Sequence, residues 1–96
     1  MADALGEGRS SFVAHAWADA YARLSAAARA APLEPDDLER LAAAAYLVGR
    51  EDESAEAWAR AHQERLGRDE PERAARCAFW LAFGLLNRGE AARGGG

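Results

Sequence analysis

Two histidines and one cysteine are the side chains best suited to catalysis or metal binding. His15 and His62 could each act as a general base or bind a metal ion. Neither has a second His, a Cys or a carboxylate at a spacing typical of a metal site. Isolated histidines are common as packing residues, and His62 directly follows a predicted apolar stripe. We therefore predict no catalytic or metal-binding role for either histidine.

Cys77 is the only thiol, so it cannot form an intramolecular disulfide. A reactive thiolate needs an accessible, electropositive site, whereas Cys77 begins an apolar run at residues 77–83. We expect a buried, unreactive thiol. Ser10 or Ser11 is predicted to cap a helix and not to act as a nucleophile. Residues 94–96 lack the strand and the Lys-Ser or Lys-Thr pair of a phosphate-binding loop, and no cofactor is predicted.

Charge and composition exclude several classes of function. The formal net charge is −4, so the chain as a whole does not attract phosphate backbones. Its basic residues are all Arg and alternate with acids, as in Glu64-Arg65 and Glu72-Arg73, a pattern typical of solvated helix faces. We predict no useful binding of duplex DNA by this segment alone.

The sequence predicts a globular protein of the cytoplasm, with the Arg and Ala bias of a bacterial coding sequence. Hydrophobic residues make up 50% of the chain and charged residues 29%, which is typical of a folded domain. Residues 1–8 have neither the basic start nor the apolar core of a signal peptide. The longest uncharged run, residues 77–87, is shorter than the roughly 20 residues needed to span a membrane.

Apolar residues three or four apart predict an all-α fold. We expect four helices near residues 11–31, 36–48, 52–66 and 70–88, and no strand. A helical domain would then occupy residues 10–89, with a disordered tail at 1–9 and a Gly-rich tail at 90–96. The first helix has this apolar face: Val13, Trp17, Ala20, Tyr21, Leu24, Ala27 and Ala31.

Proline and glycine set the predicted helix boundaries. Pro35 suits the first position of a helix, and Gly49 suits the left-handed residue that follows one. Gly67 and Gly89 are predicted to end the third and fourth helices. The predicted N-terminal caps of these two helices are Asp52 and Asp69.

A repeat appears at an offset of about 40 residues. Trp17 and Ala20 recur as Trp58 and Ala61, and Leu41-Ala42 with Gly49 recurs as Leu81-Ala82 with Gly89. Ser54, Trp58 and Ala61 form a small–large–small stripe, which predicts that Trp58 lies in the core. The repeat predicts two antiparallel helical hairpins that pack on each other.

This pattern resembles a tetratricopeptide-like helical-repeat array. Leu41, Ala42 and the turn residue Gly49 match the first helix of such a repeat, and the Ser54–Trp58–Ala61 stripe matches the second. Phrases along the chain also resemble the helical-repeat region of bacterial LuxR-type transcriptional regulators. They are Trp17-Ala18-Asp19-Ala20-Tyr21, Asp37-Leu38-Glu39-Arg40-Leu41-Ala42, Ala45-Tyr46-Leu47-Val48-Gly49-Arg50 and Ala74-Ala75-Arg76-Cys77-Ala78-Phe79-Trp80-Leu81.

The LuxR-type resemblance implies a sensory or scaffolding role upstream of a helix-turn-helix domain that this chain lacks. The leading functional prediction is thus a non-enzymatic protein-interaction segment that belongs to such a regulator. A free-standing helical adaptor that forms homodimers is the alternative. A small enzyme is the weakest interpretation, because no group of polar residues converges on one place in the sequence.

The fourth predicted helix is apolar on two sides. One face contains Ala78, Leu81, Ala82 and Leu85, which neighbouring helices are expected to cover. The other face contains Phe79, Phe83 and Leu86, with Trp80 beside it. A helix that is apolar all round needs cover on both sides. The sequence therefore predicts binding to a protein partner or to a second copy through this surface: Phe79, Trp80, Phe83 and Leu86.

Overall fold

The fold is all-α, as predicted, but it has five helices where four were expected. The computed structural model describes residues 3–95, and side chains for residues 3–87. No strand occurs within that range. The helices are α1 (Ala4–Val13), α2 (Trp17–Ala30), α3 (Pro35–Leu47), α4 (Glu51–Gly67) and α5 (Pro71–Gly95).

The predicted first helix is wrong at its N-terminal end. Residues 4–13 form a helix of their own where a tail and a helix start were expected, and the chain reverses at residues 14–16. His15 is left-handed there, with φ of 62°. The side chain of Asp3 caps α1 by accepting a hydrogen bond from the backbone N–H of Leu5 at 3.1 Å. Ser10 and Ser11 lie inside α1, so neither caps a helix, and Val13 is exposed.

Tertiary contacts explain why α1 folds back on α2. Gly8 is buried, and a Cβ built on it would lie 2.8 Å from Cγ of the fully buried Leu24. A glycine is therefore required for this close approach. Arg9, the next residue, pairs with the carboxylate of Asp37 on α3. These contacts outweigh the helical preference of residues 14–16.

Replacing Gly8 with alanine should destabilise the fold. The new methyl group would force Leu24 to move, at a typical overpacking cost of about 1–3 kcal/mol. The higher helix propensity of alanine offsets about 1 kcal/mol of this cost. We therefore expect the free energy of unfolding, measured by urea denaturation, to fall by up to about 2 kcal/mol. Gly6→Ala is the matched control, since its nearest neighbour would be Asp3 Oδ2 at 3.4 Å. An equal gain in stability from both variants would contradict the proposed packing.

The turn at Gly49 is confirmed, whereas other predicted helix ends are wrong. Gly49 has φ of 86° and follows α3 as expected. The left-handed residue after α4 is Asp69, with φ of 59°, and Gly67 still belongs to the helix. Asp69 therefore ends α4 and does not cap α5. Likewise α4 begins at Glu51 with no side-chain cap, and α5 continues past Gly89 to Gly95.

Small residues let the helices approach closely. One buried cluster joins α2 to α3 through Ala20, Leu24 and Ala44. A second cluster joins α3, α4 and α5 and consists of Leu33, Leu38, Ala61 and Cys77. The predicted stripe on α4 faces this core, because Ser54 and Ala61 are buried and Trp58 packs partly buried against it. The Oγ atom of Ser54 donates a hydrogen bond to the carbonyl oxygen of Ala42, at 2.7 Å.

A buried carboxylate joins α1 to α3. Asp37 has a side chain only 1% exposed, and Arg9 binds it with two hydrogen bonds. The nitrogen–oxygen distances are 2.9 Å from Nε and 2.6 Å from the terminal nitrogen. Arg40 donates a third hydrogen bond at 2.9 Å. The burial of Asp37 was not predicted from the sequence.

Candidate protein-interaction surface

Helix α5 packs on α4 along one narrow stripe. Ala74 and Cys77 are buried there, and Leu81 and Gly84 continue the stripe half-buried. The expected covered face of Ala78, Leu81, Ala82 and Leu85 is therefore partly wrong. Ala82 is exposed and Leu85 is 50% exposed, because α4 contacts the side of α5 centred on Cys77 and Leu81.

The side of α5 away from this stripe presents three of the four large residues that the sequence singles out, and the fourth, Trp80, lies at its edge next to α4. We call these four residues the α5 surface. Their exposed fractions are 58% for Phe79, 42% for Trp80, 42% for Phe83 and 68% for Leu86. From Cys77 to Asn87 the helix carries no charged residue. Large, clustered apolar side chains that remain in water are typical of binding surfaces.

Aromatic contacts hold the α5 surface in place. The ring centroids of Phe79 and Trp80 are 5.2 Å apart and those of Trp80 and Phe83 are 5.7 Å apart, both edge to face. Trp80 also stacks on Trp58 of α4, with a centroid distance of 6.3 Å and an interplanar angle of 21°. Such pairs stabilise by about 0.5–1.5 kcal/mol beyond the area they bury, so the rings form one ordered cluster.

An apolar groove runs beside this cluster, between α3, α4 and α5. Its volume is about 420 Å³, and almost all of its accessible lining is apolar. Sequence reasoning missed the part contributed by Tyr46 and Leu47 at the end of α3. The exposure of Leu47, at 54%, depends on where the chain turns, which the periodicity alone does not give. The groove is lined by Ala43, Tyr46, Leu47, Trp58, Trp80 and Phe83.

A buried arginine fixes the start of α5. The side chain of Arg65 on α4 is 5% exposed and donates hydrogen bonds to Glu39 of α3 at 2.7 and 3.0 Å. It also donates to Asp36 at 2.5 Å and to Glu70, immediately before α5, at 3.2 Å. Burial lowers the pKa of Arg65, but these hydrogen bonds raise it more, so the guanidinium stays charged. The expectation that all arginines lie on solvated faces is wrong for Arg65.

The candidate nucleophile and bases do not form a catalytic group. Cys77 is fully buried, as predicted, and its burial, together with Glu39, raises the pKa of the thiol to about 11. His15 lies in the α1–α2 turn and stacks on Trp17 at 5.1 Å, while His62 lies half-buried on α4. Nowhere among the described residues do three or more His, Cys, Asp or Glu side chains form a group able to hold a metal ion.

Comparisons with known proteins identified no relative of this chain. No family model, curated protein or solved structure matches the chain. Between residues 3 and 95, no helix combines the length and the apolar character that crossing a bilayer requires. The features of this chain that bear on its function are the α5 surface and the groove beside it.

Proposed function

We propose that this chain is a non-enzymatic protein-interaction module that binds its partner through the α5 surface. The observation that carries the proposal is the exposure of Phe79, Trp80, Phe83 and Leu86 on one uncharged helix face. Interface cores are rich in aromatic residues and poor in charge, which is the composition of this face. The groove beside it offers a concave extension in which a partner side chain can be buried.

The proposal includes the LuxR-type resemblance as its biological context. In this view the chain is a bacterial, cytoplasmic scaffold segment of tetratricopeptide-like helices, and a longer parent supplies the DNA-binding domain. The sequential packing of antiparallel helices and the left-handed turn at Gly49 support such an arrangement. The net charge of −4 supports a protein partner over duplex DNA.

A free-standing adaptor that forms homodimers is the second candidate. The same α5 surface favours it, because a surface on a self-sufficient domain can meet its own copy. An enzyme with a cysteine nucleophile is disfavoured by a specific observation. The single thiol has a pKa of about 11 and no exposure, so at neutral pH it supplies almost no thiolate.

A pull-down with matched variants tests the proposal. The tagged chain is incubated with lysate of its source cells, and captured proteins are identified by mass spectrometry. We expect at least one protein to be captured by the wild type and lost with Phe83→Glu, because a charge at the centre of the α5 surface must be desolvated on binding. Val13→Glu is the control, since Val13 is 78% exposed and lies on α1.

Retention of every captured protein by Phe83→Glu would overturn the assignment of the α5 surface. Loss of the same protein with both variants would mean that added negative charge alone abolishes binding. Circular dichroism of each variant must match that of the wild type, so that a lost partner reflects the surface and not the fold.

A further inference from the structure

The sequence offset of about 40 residues relates buried positions of α2 to buried positions of α4. Ala20 and Ala61 are both fully buried. One turn later, Leu24 and Arg65 are both buried at the same offset of 41 residues. The second unit thus places an arginine where the first places a leucine. Helix α3 corresponds to α5 at an offset of 40 residues, as Leu41-Ala42 does to Leu81-Ala82.

On α3, the side that faces α4 is closed. Ala42 is fully buried, and its carbonyl oxygen accepts the hydrogen bond from Ser54 of α4. Ala45, on the same side one turn later, is also fully buried. The residues 40 positions later are Ala82 and Leu85, and both are exposed. One side of α5 thus lacks the cover that α4 gives to α3.

Two side chains of α5 reach the outer face of α3. Glu39 accepts a hydrogen bond from Arg76 at 3.3 Å, and Tyr46 accepts one from Asn87 at 3.1 Å. The residues 40 positions after Glu39 and Tyr46 are Phe79 and Leu86, and these are exposed. Where α3 has these two polar side chains, α5 has two large apolar ones. Within residues 3–87 no other helix covers these two side chains.

We propose that a second copy of this chain covers the α5 surface, so that α5 packs against α5 of the partner. The inference rests on the proposed function and names its partner. With aromatic side-chain areas of about 150–250 Å², the exposed fractions of the large residues on α5 amount to roughly 500 Å². Two copies together bury roughly 1,000 Å², the lower limit for a specific interface. Interfaces of this size are at the small end of those that hold specific complexes, where weak and transient complexes are found.

The order of side chains on α5 suits an antiparallel, two-fold symmetric contact. A two-fold axis between Ala82 and Phe83 places Ala82 against the partner's Phe83, so a small residue meets a large one. The same axis places Phe79 against the partner's Leu86. Since residues 77–87 carry no charge, this pairing buries no ion. An isologous contact of this kind closes on itself and stops at a dimer.

Sedimentation equilibrium over a range of protein concentrations tests this inference on the full chain. We expect a monomer–dimer equilibrium in the micromolar range for the wild type and for Val13→Glu. Phe83→Glu should raise the dissociation constant by about 30-fold or more, as for a central interface residue. Leu86→Glu, at a residue 68% exposed, is a second variant that spares the fold and should act in the same direction.

A wild-type chain that stays monomeric at the highest concentration would overturn the second-copy inference. A dimer that persists in both Phe83→Glu and Leu86→Glu would also overturn it. So would a dimer that Val13→Glu weakens as much as these two variants do. The pull-down then separates the two proposals. A captured protein that depends on Phe83 would leave the interaction module standing with a different partner, whereas a monomer without Phe83-dependent capture would remove both.

Discussion

Arg65→Ala should lower the free energy of unfolding by about 3–5 kcal/mol, the typical cost of breaking a buried ion pair from one side. The side chain of Arg65 is 5% exposed, and it is the hydrogen-bond donor shared by Glu39, Asp36 and Glu70. Its removal leaves Glu39, with a side chain 14% exposed, short of its main partner. Because domains of this size have about 5–15 kcal/mol in total, this loss is a large share of the stability of the fold.

Thermal and urea denaturation followed by circular dichroism measure this loss. Arg68→Ala is the matched control, because the Arg68–Glu34 pair joins side chains that are 48% and 66% exposed. Exposed pairs contribute about 0–1 kcal/mol, so this variant should resemble the wild type. Adding Glu39→Gln to Arg65→Ala should return part of the loss, since the carboxylate left without Arg65 is then neutral. Equal effects of Arg65→Ala and Arg68→Ala would contradict the structural role of Arg65.

Acid should weaken the contact between α1 and α3 through Asp37. Hydrogen bonds from Arg9 lower the pKa of Asp37 below its ordinary value of 3.8, although burial acts in the opposite direction. The folded state therefore holds this proton less tightly than the unfolded state does. The stabilisation is complete above the ordinary pKa and is lost as the pH falls below 3.8 and through the lower, folded value.

Asp37→Asn tests this contribution at both ends of the pH range. At neutral pH we expect a loss of about 1.5–3 kcal/mol in the free energy of unfolding, the typical contribution of hydrogen bonds to charged groups. Below pH 3.8 the variant should lose less stability than the wild type, because it has no carboxylate at position 37 to take up a proton. Part of the acid response should persist, since hydrogen bonding to Arg65 also lowers the pKa of Asp36.

Asp19→Asn is the control for a change of one charge. Asp19 is exposed in the first turn of α2, where a carboxylate contributes about 0.3–1 kcal/mol through the helix dipole. An acid profile of Asp37→Asn that matches the wild type would show that Asp37 is not responsible for the loss of stability.

The sequence predicted those parts of the fold that depend on the properties of single residues and on short spacings. Pro35 begins α3 because its ring sets φ near the helical value, and Gly49 follows α3 in the left-handed region because it has no Cβ to clash there. The amphipathic stripe of Ser54 and Ala61 predicted the buried side of α4. The exposed α5 surface was recognised because too many large residues occur on one helix.

Other features depend on contacts between residues far apart in sequence. The reversal at His15 has no strong local signal, and it follows from the packing of Gly8 on Leu24. Asp37 and Arg65 looked like ordinary charged residues. Arg65 nevertheless lies four residues after Ala61 on the buried side of α4, and that spacing is a usable sign of burial.

The one-sided packing of α5 also has a consequence for local unfolding. Within residues 3–87, α5 is buried mainly along the stripe on α4, with two side-chain hydrogen bonds to α3. A helix that packs mainly on one neighbouring helix can open while the rest of the domain stays folded. A partner that binds the docked helix more tightly than the undocked one opposes that opening by mass action. Partner concentration would then set how much of the time the last helix is folded.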